Sequence, residues 1–173
     1  MGKKLPGVTL VLGGARSGKS SFAENLVEES GLKPVYVATA QAFDSEMKDR
    51  IERHRARRGD QWETVEAPIE LPEMLKLQST GEKAILVDCL TLWLSNLMIK
   101  EMDIEAEVTR LIEVLSKPTA PVVLVSNEVG MSIVPENKMA REFRDHAGVL
   151  NQEIAGVASQ VFLVAAGLPM KLK

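Results

Sequence analysis

Two stretches of this sequence combine residue types and spacings suited to phosphate chemistry. GGARSGKS, Gly13 to Ser20, fits the pattern G-x-x-x-x-G-K-[S/T]. Gly13 and Gly18 permit the backbone angles that turn the intervening amides of Gly14, Ala15, Arg16 and Ser17 around a phosphate. Lys19 brings a cation to the β- and γ-phosphates, and the Ser20 hydroxyl is a ligand for Mg²⁺. The second stretch is RIERHRARRG, Arg50 to Gly59, where His54 stands among five arginines. Residues three and four apart share a helix face, which aligns Arg50, His54, Arg57 and Arg58. An imidazole sheltered beside Ile51 and surrounded by cations favours its neutral form, and a neutral imidazole attacks phosphorus. The guanidinium groups meanwhile bind phosphate oxygens and neutralise developing charge. Taken alone, each stretch also has a plainer reading: a glycine-rich connecting turn, and a solvated basic helix with His54 as a passive neighbour.

The surrounding elements favour the chemical reading of the glycine-rich stretch. VTLVLGG, Val8 to Gly14, is an aliphatic and β-branched run of the kind buried in a parallel sheet. SSFAENLVEES follows as a helix with Phe22, Leu26 and Val27 on its apolar stripe and acidic residues opposite. The phosphate cradle thus falls between a buried strand and a helix N-terminus, the context this motif requires. Further strands are expected at Pro34–Ala40, Ala84–Leu90, Pro121–Asn127 and Gln160–Ala166, and a short antiparallel edge strand after a turn at Gly167. Helices are expected at Asp44–Arg58, Leu71–Gln78, Thr91–Ile99, Ile104–Leu115 and Asn137–Ala158. Strands alternating with helices predict an α/β fold over residues 1–173: a single P-loop NTPase domain of the RecA-like kind, mostly parallel, with helices on both faces. Asp88 ends an apolar strand, where its carboxylate either starts an ordinary turn or holds hydrated Mg²⁺ opposite Ser20.

Composition narrows the partners. The formal net charge of the 173 residues is −3, so the basic cluster is local and suits a small anion better than a polyanion. Aromatic residues are only 4%, which leaves few platforms for stacking bases and argues against nucleic-acid binding. No apolar run reaches the length of a membrane span. Cys89 is the only cysteine, so no internal disulfide forms and a reducing cytoplasm is the expected compartment. These features admit a plain P-loop kinase, or a nucleotide-dependent switch, as well as a covalent nucleotidyl transferase.

Read in order, GGARSGKS, VYVATAQ, DSEMKDRIERHRARR, WETVE, LVDCLT and SNEVGMSIVPENKMAREFRDHAG make the chain resemble the bifunctional adenosylcobinamide kinase/adenosylcobinamide-phosphate guanylyltransferase family, from Val8 to Lys173. The resemblance implies phosphorylation of the aminopropanol hydroxyl of adenosylcobinamide by ATP or GTP. It also implies transfer of GMP from GTP to that phosphate, through a guanylylated histidine matching His54. It places Thr39, Ala40 and Gln41 along the nucleotide site and Arg55, Ala56, Arg57 and Arg58 on GTP. Glu66, in WETVE, matches a nucleotide-binding position, where a carboxylate would accept from guanine N1–H and the 2-amino group. Asp88 matches the family's acidic strand end, and His146 reads as a surface or packing residue. A homo-oligomer, commonly a trimer, is implied too, with Val65, Leu92, Trp93, Leu97 and Met98 available either for subunit contact or for internal packing. NEVGMSIVP falls at the sheet edge where ligands of open α/β folds bind, and is expected, with Arg141 and Arg144, at the corrinoid or acceptor-phosphate pocket. Ser132 there replaces a glycine more usual in the family, which puts fine substrate contacts in doubt rather than the activity class.

Overall fold

A computed structural model describes residues 4–40 and 59–173; the expected helix Asp44–Arg58, and with it His54, lies outside the described residues. The chain runs β1 (Val8–Gly13), α1 (Lys19–Glu29), β2 (Lys33–Ala38), β3 (Glu63–Glu66), α2 (Leu71–Gln78), β4 (Lys83–Asp88), α3 (Leu90–Ile99), α4 (Ile104–Leu115), β5 (Val122–Asn127), α5 (Lys138–Val157), β6 (Gln160–Ala165) and β7 (Leu168–Lys171). The described strands form one sheet in the order β3-β2-β4-β5-β1-β6-β7. All neighbouring pairs are parallel except β6 and β7.

The aliphatic runs become strands because both faces of the sheet are covered. Leu10, Val35, Val37, Ile85, Val87, Val122 and Leu124 face a core closed by α2, α3, α4 and α5. Their alternates, Val11, Tyr36, Leu86, Val123 and Val125, face a second core with Ala23 and Val27 of α1. This two-residue alternation is the pleat of the strand, and burial on both sides explains the absence of a polar face. Of the acidic residues expected on the solvent side of α1, Glu24 is instead buried.

WETVE, which falls outside every expected element, holds a strand. Glu63 to Glu66 pair in parallel register with Val35 to Ala38. Its short, half-exposed pattern suits a sheet edge. Trp62, just before it, is buried with its ring 6.5 Å edge-on to Tyr36, and its Nε1 donates to Glu28 at 3.1 Å. Trp93 and Leu97 are fully buried, and Val65, Leu92 and Met98 pack against the cores. Trp93 and Leu97 are thus internal packing residues, while Val65, Leu92 and Met98 are partly buried at the margins of the cores. The large exposed apolar side chains lie elsewhere, among them Met131, Ile133, Val134, Leu168 and Met170.

Candidate nucleotide-binding site

The carboxyl ends of the parallel strands place the candidate residues along one edge. Gly13 of β1 is in register with Asn127 of β5, and Val125 of β5 with Asp88 of β4. Ala38 of β2 is in register both with Asp88 and with Glu66 of β3. With strands about 4.8 Å apart, Asp88 is two steps or roughly 10 Å across the sheet from Gly13, and Glu66 four steps or roughly 19 Å. Phosphates and a base attached to them fit that spread.

Residues 13–20 wrap between β1 and α1 in the manner their composition predicts. Arg16 and Gly18 have φ of 54° and 94°, the left-handed region. A side chain on Gly13 would begin 2.5 Å from Ser17 Oγ and 2.6 Å from the Val164 carbonyl, so only glycine closes this turn without displacement. Lys19 Nζ donates to the Gly14 carbonyl at 3.1 Å, which holds the cation over the loop. The Phe22 amide donates to the Gly18 carbonyl at 3.0 Å and starts the helical ladder. The first-turn amides and the aligned helix dipole therefore face the loop, an arrangement that binds anions.

Asp88 and Thr39 meet at the adjoining corner. Thr39 is fully buried, and its hydroxyl donates to the Cys89 carbonyl at 2.7 Å and accepts from the Cys89 amide at 2.8 Å. Asn96 Nδ2 of α3 donates to the Thr39 carbonyl at 2.8 Å and to the Pro68 carbonyl at 2.9 Å. Thr39 thus acts on the site through the backbone of Cys89, beside Asp88. Burial, and after it the charge of Asp88, push the Cys89 thiol up to about 11, and the positive charge of Lys19 opposes them. Sequence reading passed over Asn96 and Thr91, whose Oγ1 accepts from the Asn127 amide at 2.7 Å and ties α3 to the end of β5. The only local signal is that Thr91, Ser95 and Asn96 stand as polar residues in the mostly apolar α3.

Ser20 and Asp88 are hard oxygen donors suited to Mg²⁺. Among the described residues no group of three or more His, Cys, Asp and Glu is gathered that could hold a metal unaided. One carboxylate, one hydroxyl, nucleotide phosphates and water make up the donor set this cation prefers. Ala40 is half-buried just past β2, and Glu66 is exposed at the end of β3. Gln41, Arg55, Ala56, Arg57 and Arg58 lie outside the described residues, while His146 is exposed on α5.

Comparison with known proteins agrees with the geometry. The profile of the cobinamide kinase / cobinamide phosphate guanyltransferase family matches residues 9–172. The chain is 47% identical over 166 residues to a bifunctional adenosylcobalamin biosynthesis protein of Pseudomonas aeruginosa, covering 95% of this chain and 96% of that protein. A protein of the same description from Escherichia coli is 42% identical over 179 residues, covering 95% and 98%. In fold, the chain is similar to the RadB recombinase, with a TM-score of 0.53, 20% identity, and coverage of 92% of this chain and 74% of that one. The fold is that of the P-loop NTPases. No helix among the described residues is long and apolar enough to cross a membrane.

Proposed function

We propose, for a chain that belongs to the cobinamide kinase / cobinamide phosphate guanyltransferase family, a two-step transfer on adenosylcobinamide at the carboxyl edge of the sheet. The observation that carries this reading is the loop Gly13–Ser20, wound by Arg16 and Gly18 in left-handed angles, with the Asp88 corner one strand beyond its neighbour. In the first step the substrate's aminopropanol oxygen attacks the γ-phosphorus of ATP or GTP. The bond to the β-phosphate oxygen breaks, and the nucleoside diphosphate leaves. Backbone amides of residues 14–18 and Lys19 hold the phosphates, stabilising charge as it shifts to the leaving oxygen. Bound Mg²⁺, with Ser20 and Asp88 among its ligands, supplies charge neutralisation there.

In the second step a ring nitrogen of His54 attacks the α-phosphorus of GTP, and pyrophosphate leaves. An oxygen of the adenosylcobinamide phosphate then displaces His54, so that the phosphorus–nitrogen bond breaks and adenosylcobinamide-GDP forms. Gln41, Arg55, Ala56, Arg57 and Arg58 complete the GTP contacts, together with Thr39 and Ala40, and Glu66 accepts from the guanine edge. The soluble enzyme works in the cytoplasm as a homo-oligomer, a trimer in this reading. It takes no nucleic acid.

The test is intact-protein mass spectrometry after incubation with Mg²⁺ and GTP. A guanylyl-mass adduct, labile to acid and absent from His54→Ala, is expected. GTP binding and phosphate transfer to adenosylcobinamide without any adduct would reduce the protein to a plain kinase.

A further inference from the structure

Between β5 and α5 the chain displays large apolar side chains to solvent beside the phosphate loop. Met131, Ile133 and Val134 are 81%, 93% and 59% exposed. The loop that carries them is held at both ends. At its root the Glu128 amide donates to the Gly13 carbonyl at 3.1 Å. The Glu128 carboxylate accepts from the amides of Gly130 at 2.9 Å and Met131 at 3.1 Å, and Ser132 Oγ donates to the Val129 carbonyl at 3.1 Å. At its far end Arg141 Nη1 donates to the carbonyls of Pro135, at 3.0 Å, and Glu136, at 2.6 Å. Arg141, expected at a ligand pocket, is thereby committed to fastening this loop, and Arg144 bonds to Asp145.

A loop that directs its polar groups to its own backbone and turns three aliphatic side chains outward presents an apolar contact surface. Scattered exposed aliphatics are ordinary, whereas a contiguous group beside a functional site marks a ligand or a partner. No charged residue stands between Val129 and Pro135, so the surface does not suit a phosphate. The exposed Leu168 and Met170 differ, because they belong to β7, an edge strand with backbone groups free to pair with another chain.

We infer that the loop 128–137 is the acceptor subsite. Met131, Ile133 and Val134 seat the apolar face of the corrin macrocycle. This rests on the functional reading above. The macrocycle is far wider than the phosphate cradle, so when its hydroxyl reaches the γ-phosphate the ring must lie on neighbouring surface. The loop rooted on Gly13 is an exposed apolar surface at that position, held at both ends.

The test compares wild type, the double variant Met131→Ser/Ile133→Ser, and, as a control at an exposed leucine of α2, Leu77→Ser in the kinase reaction. Each is also measured for Mg²⁺–ATP affinity and for mass in solution by light scattering. The inference expects the double variant to raise KM for adenosylcobinamide about tenfold or more, with nucleotide affinity and mass unchanged and Leu77→Ser close to wild type. An unchanged KM overturns it. So does a raised KM accompanied by a change of oligomeric mass, which would assign the patch to a second copy of the chain. A wild-type protein that neither binds nor phosphorylates adenosylcobinamide overturns the functional reading and this inference together, a result distinct from a defect confined to the variant.

Discussion

The Gly167 amide donates to the Ser17 carbonyl across 2.8 Å, joining the tip of the β6–β7 hairpin to the middle of the phosphate loop. Ala166 and Gly167 have φ of 51° and 78°, as a two-residue hairpin turn requires. Gly18 lies against the same tip, since a side chain there would begin 3.1 Å from Gly167 Cα. The cradle is thus braced from the C-terminal edge of the sheet as well as by its own helix. Gly167→Val, which places a β-branched residue in the left-handed region, is expected to cost about 1–2 kcal/mol of stability. It should also weaken ATP binding severalfold. Denaturant unfolding and nucleotide titration on one preparation check both, and unchanged nucleotide affinity would separate the hairpin from the cradle.

Thr39 offers a second test, because its hydroxyl bonds the Cys89 backbone rather than reaching outward. Thr39→Val keeps the shape but takes the partner from the buried Cys89 amide and leaves the Cys89 carbonyl only the Trp93 amide, at 3.2 Å, at a cost of about 1–3 kcal/mol. Thr39→Ser retains the oxygen and loses only a methyl group, at about 1 kcal/mol. Melting curves should rank wild type above serine and serine above valine. A valine variant as stable as wild type would show that the hydroxyl is dispensable to the Asp88–Cys89 corner.

Glu63 gives a pH-dependent prediction. It bridges Lys33 of β2 at 3.0 Å and Lys83 of β4 at 3.3 Å, tying β3 to its neighbour and to the strand beyond it. The hydrogen bond from Lys33, with help from Lys83, holds its carboxyl below the usual value of 4.5. A carboxylate whose folded pKa is depressed stabilises the fold above the unfolded value, and that contribution disappears as pH falls through the folded one. The pair is partly solvated, so Glu63→Gln should cost only about 0.5–1 kcal/mol at pH 7. The difference between variant and wild type should narrow below pH 4.5 and vanish at still lower pH. A difference independent of pH would point to packing rather than charge.

Helix α5 contains Gly148 and Gly156, and a side chain added at either meets nothing within 4 Å. Replacing glycine by alanine inside a helix gains about 0.5–1 kcal/mol where there is room for the methyl group. Gly148→Ala and Gly156→Ala should each raise the melting temperature by a few degrees without altering nucleotide affinity. Destabilisation by either would show that its glycine serves a contact outside the single chain.

Much of this protein is legible locally. Continuous aliphatic runs such as Val8–Leu12 and Ala84–Val87 signal strands buried on both sides, and glycines at 13 and 18 followed by Lys19 and Ser20 signal a phosphate cradle. Both signals are periodic or steric and need no knowledge of distant residues. The alternation of strands and helices then entails a parallel sheet, and the antiparallel pair about Gly167 follows from turn chemistry. Tertiary structure alone decides the strand order, which sets Asp88 two strands and Glu66 four strands from Gly13. It makes Glu63–Glu66 a strand, because four residues carry too little pattern to declare themselves before β2 pairs with them. It turns the Thr39 hydroxyl inward onto Cys89, fifty residues away, and packs Trp93 and Leu97 inside rather than on a surface. It also sets the hairpin tip against Ser17 and leaves Met131, Ile133 and Val134 outside. Each of these depends on which distant groups compete for the same hydrogen bond or buried volume, and that competition is settled only when the chain closes on itself.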